Sequence, residues 1–149
     1  MLETRLVALK LGNGGRWRGN LLWYHASFFN KRHYSSAREV GDTIFLAGHT
    51  AIDNNGAVVF PGDPVAQCRY TLEALERTLK TLASSLRDLV KITVYVTDVR
   101  YRQELHEVRK TFFAPPYPVS TLVEVSQLVF PGLTVEIDGI AIRGAGGDR

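Results

Sequence analysis

Residues 133–142 read Leu-Thr-Val-Glu-Ile-Asp-Gly-Ile-Ala-Ile, and this stretch decides the fold. Apolar Leu133, Val135 and Ile137 alternate with Thr134, Glu136 and Asp138. Successive strand side chains point to opposite faces, so one face here is apolar and the other carries a hydroxyl and two carboxylates. Residues 90–96 repeat the pattern, with Val90, Ile92, Val94 and Val96 set against Lys91, Thr93 and Tyr95. Strands of this kind need a covering layer on their apolar side.

Two segments can supply that layer. Asp63-Pro64 opens a helix with Asp as N-cap and Pro in the first turn. Cys68, Leu72, Leu75, Leu79 and Leu82 then recur every three or four residues, which is one helix face. Residues 101–113 return to helical spacing through Leu105, Val108 and Phe112, and Pro115, Pro116 and Pro118 end the pattern. Upstream, β-prone residues 38–40 and 43–47 flank Gly41-Asp42 as a tight hairpin. Residues 53–56, Asp-Asn-Asn-Gly, form a turn, and residues 57–60 are predicted as a short third strand. Residues 121–125 form another strand before the last one. The predicted order is β-β-β-α-β-α-β-β, an α+β sandwich with both helices on one sheet face. The uncovered face, bearing Thr134, Glu136 and Asp138, suits water, a cleft or a subunit interface.

The chain has 149 residues, 45% apolar and 22% charged, the composition of one soluble domain with a real core. It divides into an N-terminal extension (1–31), a folded domain (32–142) and a Gly-rich tail (143–149) expected to be mobile. The net charge of +3 is unevenly spread: residues 1–40 hold seven basic and two acidic side chains, and the remainder eleven and thirteen. A near-neutral body, with no basic run interleaved with aromatics, argues against nucleic acid. Trp17, Trp23, Tyr24, Phe28 and Phe29 of the extension could dock on the body. No apolar run is long enough for a membrane span, and the start of the chain does not read as a secretory signal. The lone Cys68 cannot form an internal disulfide and lies on the apolar helix face, so it reads as a small buried hydrophobe. A reduced cytoplasmic compartment is expected.

Phosphate-loop, Gly-x-Ser-x-Gly and His-x-x-x-His motifs are missing, and His25, His33, His49 and His106 show no metal-ligand spacing. Two acids stand inside apolar strand triplets, Glu124 in Val123-Glu124-Val125 and Glu136 in Val135-Glu136-Ile137. A carboxylate there is either solvated or held for proton transfer. Pattern does not choose between them.

Tyr34-Ser35, residues 40–48 (Val-Gly-Asp-Thr-Ile-Phe-Leu-Ala-Gly), Ala66-Gln67, residues 89–98, Phe112-Phe113 and the two Val-Glu-Val/Val-Glu-Ile triplets together resemble the RidA/YjgF family. These are reactive intermediate/imine deaminases, long labelled endoribonuclease L-PSP. The resemblance implies a chorismate-mutase-like α+β fold, one mixed sheet with two helices on one face. It also implies a homotrimer whose sheets form a central barrel, with small-molecule clefts between subunits. Its members hydrolyse imines or enamines to a keto acid and ammonia, and the resemblance implies no cofactor.

Carried over residue by residue, the resemblance makes Glu136 the water-handling acid and Tyr34 the cleft tyrosine, with Gly48 after the second strand. Four positions depart from the family pattern. Ser120 stands where the carboxylate-binding arginine belongs, Ala47 replaces a serine, Leu122 a cysteine or other small residue, and His106 an asparagine. No arginine lies between Lys110 and Arg143 to compensate along the chain. The expected activity is therefore hydrolysis of an imine or enamine other than the usual 2-imino acids. The alternative is a non-catalytic ligand-binding or regulatory trimer. Ribonuclease activity would need a basic groove, which only the extension could supply.

Overall fold

The computed structural model describes residues 34–147. The N-terminal extension and its aromatic residues lie outside the described residues. Five strands form one mixed sheet: β1 (Ala37–Val40), β2 (Thr43–Thr50), β3 (Leu89–Val96), β4 (Val119–Glu124) and β5 (Val135–Ile142). Their spatial order is β1-β2-β5-β3-β4, with only β3 and β4 parallel. Helices α1 (Pro64–Thr81) and α2 (Arg102–Lys110) cover one face. The hairpin between β1 and β2 turns at Gly41, whose φ of 60° is the left-handed conformation that glycine adopts without a steric penalty.

Helix α1 starts as its sequence dictates. Asp63 accepts a hydrogen bond from the Ala66 N–H, and Pro64 occupies the first turn. Its inner face buries Cys68, Leu72, Leu75 and Leu79 against Ile44, Val94, Val135 and Ile137 of the sheet. Each large side chain so buried contributes about 1.5–3 kcal/mol relative to exposure. Leu105 and Val108 of α2 extend the same core.

The alternation of residues 133–142 holds: Leu133, Val135 and Ile137 are buried, and Thr134, Glu136 and Asp138 are half-buried. In β3 it fails at one residue. A register irregularity between Leu89 and Lys91 buries Leu89 and leaves Val90 half-buried, so Val90 does not share the setting of Ile92. The second helical pattern, expected over 101–113, is an α-helix only over Arg102–Lys110, preceded by a 3-10 turn, Val99–Tyr101. The strand expected at 57–60 does not form; that segment makes a lone bridge, Ile52 to Val58. Its carbonyls turn to a side chain instead. Buried Gln67 donates from Nε2 to the carbonyls of Val59, Phe60 and Gly132, at 3.2, 2.9 and 2.8 Å. Gln67 Oε1 accepts from Thr134 N and Oγ1 at 2.7 and 2.9 Å, which anchors the approach to β5.

The Gly-rich tail is tied down through Gly147 rather than free. Gly144 N and Gly146 N donate to Asp88 Oδ1, and Arg87 donates to the Gly146 carbonyl. Arg143 donates twice to the Leu82 carbonyl and pairs with Glu39 at 2.8 Å. No helix among the described residues is long and apolar enough to cross a membrane.

Candidate functional site

Glu136 sits on β5, on the sheet face that the helices leave open, opposite Thr50 of β2 and Tyr95 of β3. β2 bulges beside it: Leu46 pairs with Gly139 but His49 with Ile137, so Ala47 and Gly48 form the irregular step. His49 fixes this step by donating from Nδ1 to the Ala47 carbonyl at 2.8 Å, while Nε2 lies 2.8 Å from Thr78 Oγ1 on α1. The bulge carries the Gly48 backbone over the Glu136 side chain. A Cβ on Gly48 would stand 2.7 Å from Glu136 Cδ and 3.0 Å from its Cγ. Glycine is required here by close approach, not by its dihedral angles.

The Glu136 carboxylate accepts no hydrogen bond among the described residues. Burial, with the nearby Asp138 carboxylate adding to it, holds its pKa above the usual glutamate value. Asp138 itself accepts a hydrogen bond from the Tyr95 hydroxyl at 3.0 Å, which raises the Tyr95 pKa. Glu124, its equal by sequence pattern, is exposed and accepts from the Val99 N–H at 2.7 Å, capping the 3-10 turn. The structure thus separates the two acids: Glu124 is engaged locally and Glu136 is not.

The other predicted residues divide into two groups. Ala47 and Gly48 accompany Glu136. Tyr34 is 54% exposed, and Ala47 N donates to the Ser36 carbonyl at 2.9 Å, which brings the chain just after Tyr34 beside the bulge. Ser120 and Leu122 belong elsewhere. They are in register with Ile92 and Val94, so they face the helix layer, and Leu122 packs against the core. His106 is exposed on α2, which covers that same face. Within one chain the second group lies on the opposite side of the sheet from Glu136.

Sequence reasoning missed Arg109. It stands on α2 and donates from Nη1 to Ser120 Oγ at 2.9 Å. The available signal was its position, one helical turn after the buried Leu105, where a charge breaks the apolar stripe. Cys68 is fully buried, and burial pushes its thiol pKa up to about 11, so it is an inert core residue. Among the described residues no three His, Cys, Asp or Glu side chains cluster as metal ligands. A shallow groove of about 430 Å³ runs along the outer side of α1 between Phe60, Arg69, Tyr70 and Glu73, and holds none of the predicted residues.

A mixed five-stranded sheet with two helices on one face, and on the other an acid without a partner among the described residues, define a small α+β protein with one open sheet face. Residues 26–143 match the family model described as Endoribonuclease L-PSP, and the chain belongs to that family, the RidA/YjgF proteins. The match begins a few residues inside the segment assigned to the extension. The chain is 31% identical over 111 residues to the mouse 2-iminobutanoate/2-iminopropanoate deaminase, covering 74% of this chain and 82% of that protein. It superposes on a YjgF/YER057c/UK114 family member from Mycobacterium tuberculosis with a TM-score of 0.69 at 33% identity, over 79% and 93% of the two chains. Against E. coli TdcF with bound serine the TM-score is 0.67 at 29% identity, over 74% and 87%.

Proposed function

We propose that the protein hydrolyses the C=N bond of a small imine, or of an enamine through its imine tautomer, giving a carbonyl compound and ammonia. The observation that carries this is Glu136: a partly buried carboxylate with no hydrogen-bond partner among the described residues, under a glycine that leaves it room. A group that must both accept and donate a proton works best when its pKa is moved toward the working pH. The substrate reacts as its protonated iminium form: water adds to the carbon, the nitrogen takes the C=N electron pair, and Glu136 takes the water's proton as the C–O bond forms. The proton shuttled through Glu136 then returns to the amine. The C–N bond breaks, ammonia leaves with the bonding pair, and loss of the hydroxyl proton yields the carbonyl. The similarity to the mouse deaminase supports this reaction class.

The site is completed by a second copy of the chain. Ser120, Leu122 and His106 cannot join Glu136 within one chain, because the sheet lies between them. A homotrimer with sheets turned inward would bring Tyr34, Ala47, Gly48 and Glu136 of one chain against Ser120, Leu122 and His106 of the next. Phe45, Val123 and Ile142, 47, 39 and 40% exposed on or at the rim of the open face, are the apolar surface such an assembly would cover.

The test is to generate 2-aminoacrylate in situ with a dehydratase and follow imine loss with the full chain present. Glu136→Gln should lower the acceleration about 10²- to 10⁴-fold, and unchanged turnover would overturn the assignment. Sedimentation should give three times the chain mass of 16.6 kDa, and an active monomer would overturn the intersubunit site.

A further inference from the structure

Ser120 removes the arginine from β4, but the structure brings another to the same place. Arg109 reaches across from α2, and its Nη1 lies 2.9 Å from Ser120 Oγ. Its Nε is closed off from solvent and has no hydrogen-bond acceptor among the described residues. The ion pairs among the described residues are Lys80–Glu76, Arg100–Asp98, Lys110–Glu107 and Arg143–Glu39, and Arg109 belongs to none of them. The ionisable group beside it, Cys68, is protonated and neutral. Burial pulls the Arg109 pKa below its usual value.

A guanidinium offers five N–H donors in a planar fork suited to a carboxylate. Ser120 occupies one of them through a neutral hydroxyl. Serine at this position also leaves room for the Arg109 side chain, whereas an arginine here would set two cations against each other. We propose that Arg109, steadied by Ser120, is the anion-binding residue of this site, and that its ligand carries a carboxylate. The inference deepens the proposed function and rests on it for the reaction, but not for the binding. It reverses the expectation drawn from Ser120 alone: the carboxylate clamp has moved from β4 to α2.

The experiment titrates the full chain with 2-oxobutanoate, and with 2-butanone as the uncharged probe, by calorimetry. Wild type should bind 2-oxobutanoate at least tenfold more tightly than 2-butanone. Arg109→Met should weaken 2-oxobutanoate binding about 10- to 100-fold, the scale of a lost charge-assisted bidentate pair. Ser120→Asp provides a second variant that keeps the arginine. Its carboxylate should pair with Arg109 in place of the ligand and weaken binding at least tenfold, with an unchanged folded circular dichroism spectrum. In Arg109→Met, adding Ser120→Arg should restore affinity by returning the cation to β4. No preference for the acid in wild type, or unchanged affinity in either single variant, overturns the inference. Carboxylate binding through Arg109 without imine turnover would sustain this inference and overturn the proposed reaction. Turnover indifferent to both variants would do the reverse.

Discussion

Asp88 and Glu136 are both acids at least partly withdrawn from water, Asp88 in the turn just before β3 and Glu136 on the open face of β5, and their surroundings differ. Asp88 is 2% exposed, and its oxygens accept from Ser84 Oγ, Ser85 N, Gly144 N and Gly146 N. Glu136 accepts nothing from the described residues. The same contrast separates two arginines. Arg143 is engaged by the Leu82 carbonyl and Glu39, whereas Arg109 has one hydroxyl and an orphaned Nε. Sequestered polar groups are normally hydrogen-bonded, because losing water without replacement is costly. Asp88 and Arg143 obey that rule and close the fold. Among the described residues Arg109 Nε departs from it, while the half-buried Glu136 carboxylate is left to solvent, and this unused capacity is what the proposed substrate would meet.

Replacing each acid in turn gives the largest effects and the sharpest way to break this comparison. Asp88→Ala leaves a buried hydroxyl and two glycine N–H groups without an acceptor, and should cost about 3 kcal/mol of stability. Its urea midpoint should fall accordingly. Glu136→Gln should change the midpoint little while removing turnover. Equal destabilisation by the two substitutions would show that Glu136 is a structural acid like Asp88, and the contrast would collapse.

Gly48→Ala is the next test. The added methyl would overlap the Glu136 carboxylate, so either the side chain or the bulge must move. Overpacking of this kind costs about 1–3 kcal/mol. Turnover should fall at least tenfold, because the substitution displaces the acid proposed to react. The same substitution with Glu136→Gln already present should add no further loss of turnover. Additive losses would show that Gly48 acts on the reaction independently of Glu136.

What could be read in advance follows from the range of the interactions involved. The start of α1 is set by adjacent residues, Asp63 and Pro64, and its face by apolar spacing, so both were legible. The two faces of β5 were legible because strand alternation is local. Residues 57–60 have strand-like side chains, yet Phe60 takes a φ of 51° and Gln67 claims the carbonyls of Val59 and Phe60 that a ladder would need. The tail reads as mobile from its glycines. It is held because Gly144 and Gly147, at φ of 81° and 80°, turn the chain back, and because Asp88, far earlier in sequence, waits for its N–H groups. Glu136 was visible as a candidate but inseparable from Glu124 until the capping of Val99 was seen. Arg109 was not visible as a partner of Ser120, since a proline-bearing loop separates them and only a side-chain hydrogen bond from α2 to β4 joins them.

The smallest effect tests the electrostatic half of the comparison. Glu136 has a folded-state pKa above its unfolded value, ordinarily 4.5 for glutamate. Between those two values the folded chain binds more protons than the unfolded chain, so stability falls as pH rises through that window. Below it the group is protonated in both states, and above it ionised in both, with the penalty constant. Glu136→Gln carries no such penalty. The melting temperature of the variant minus that of wild type should therefore rise with pH from about 4.5 and then level off. A difference that stays flat would mean that water or a partner group satisfies Glu136 in solution. A difference that falls would mean a stabilised carboxylate, and would place Glu136 with Asp88.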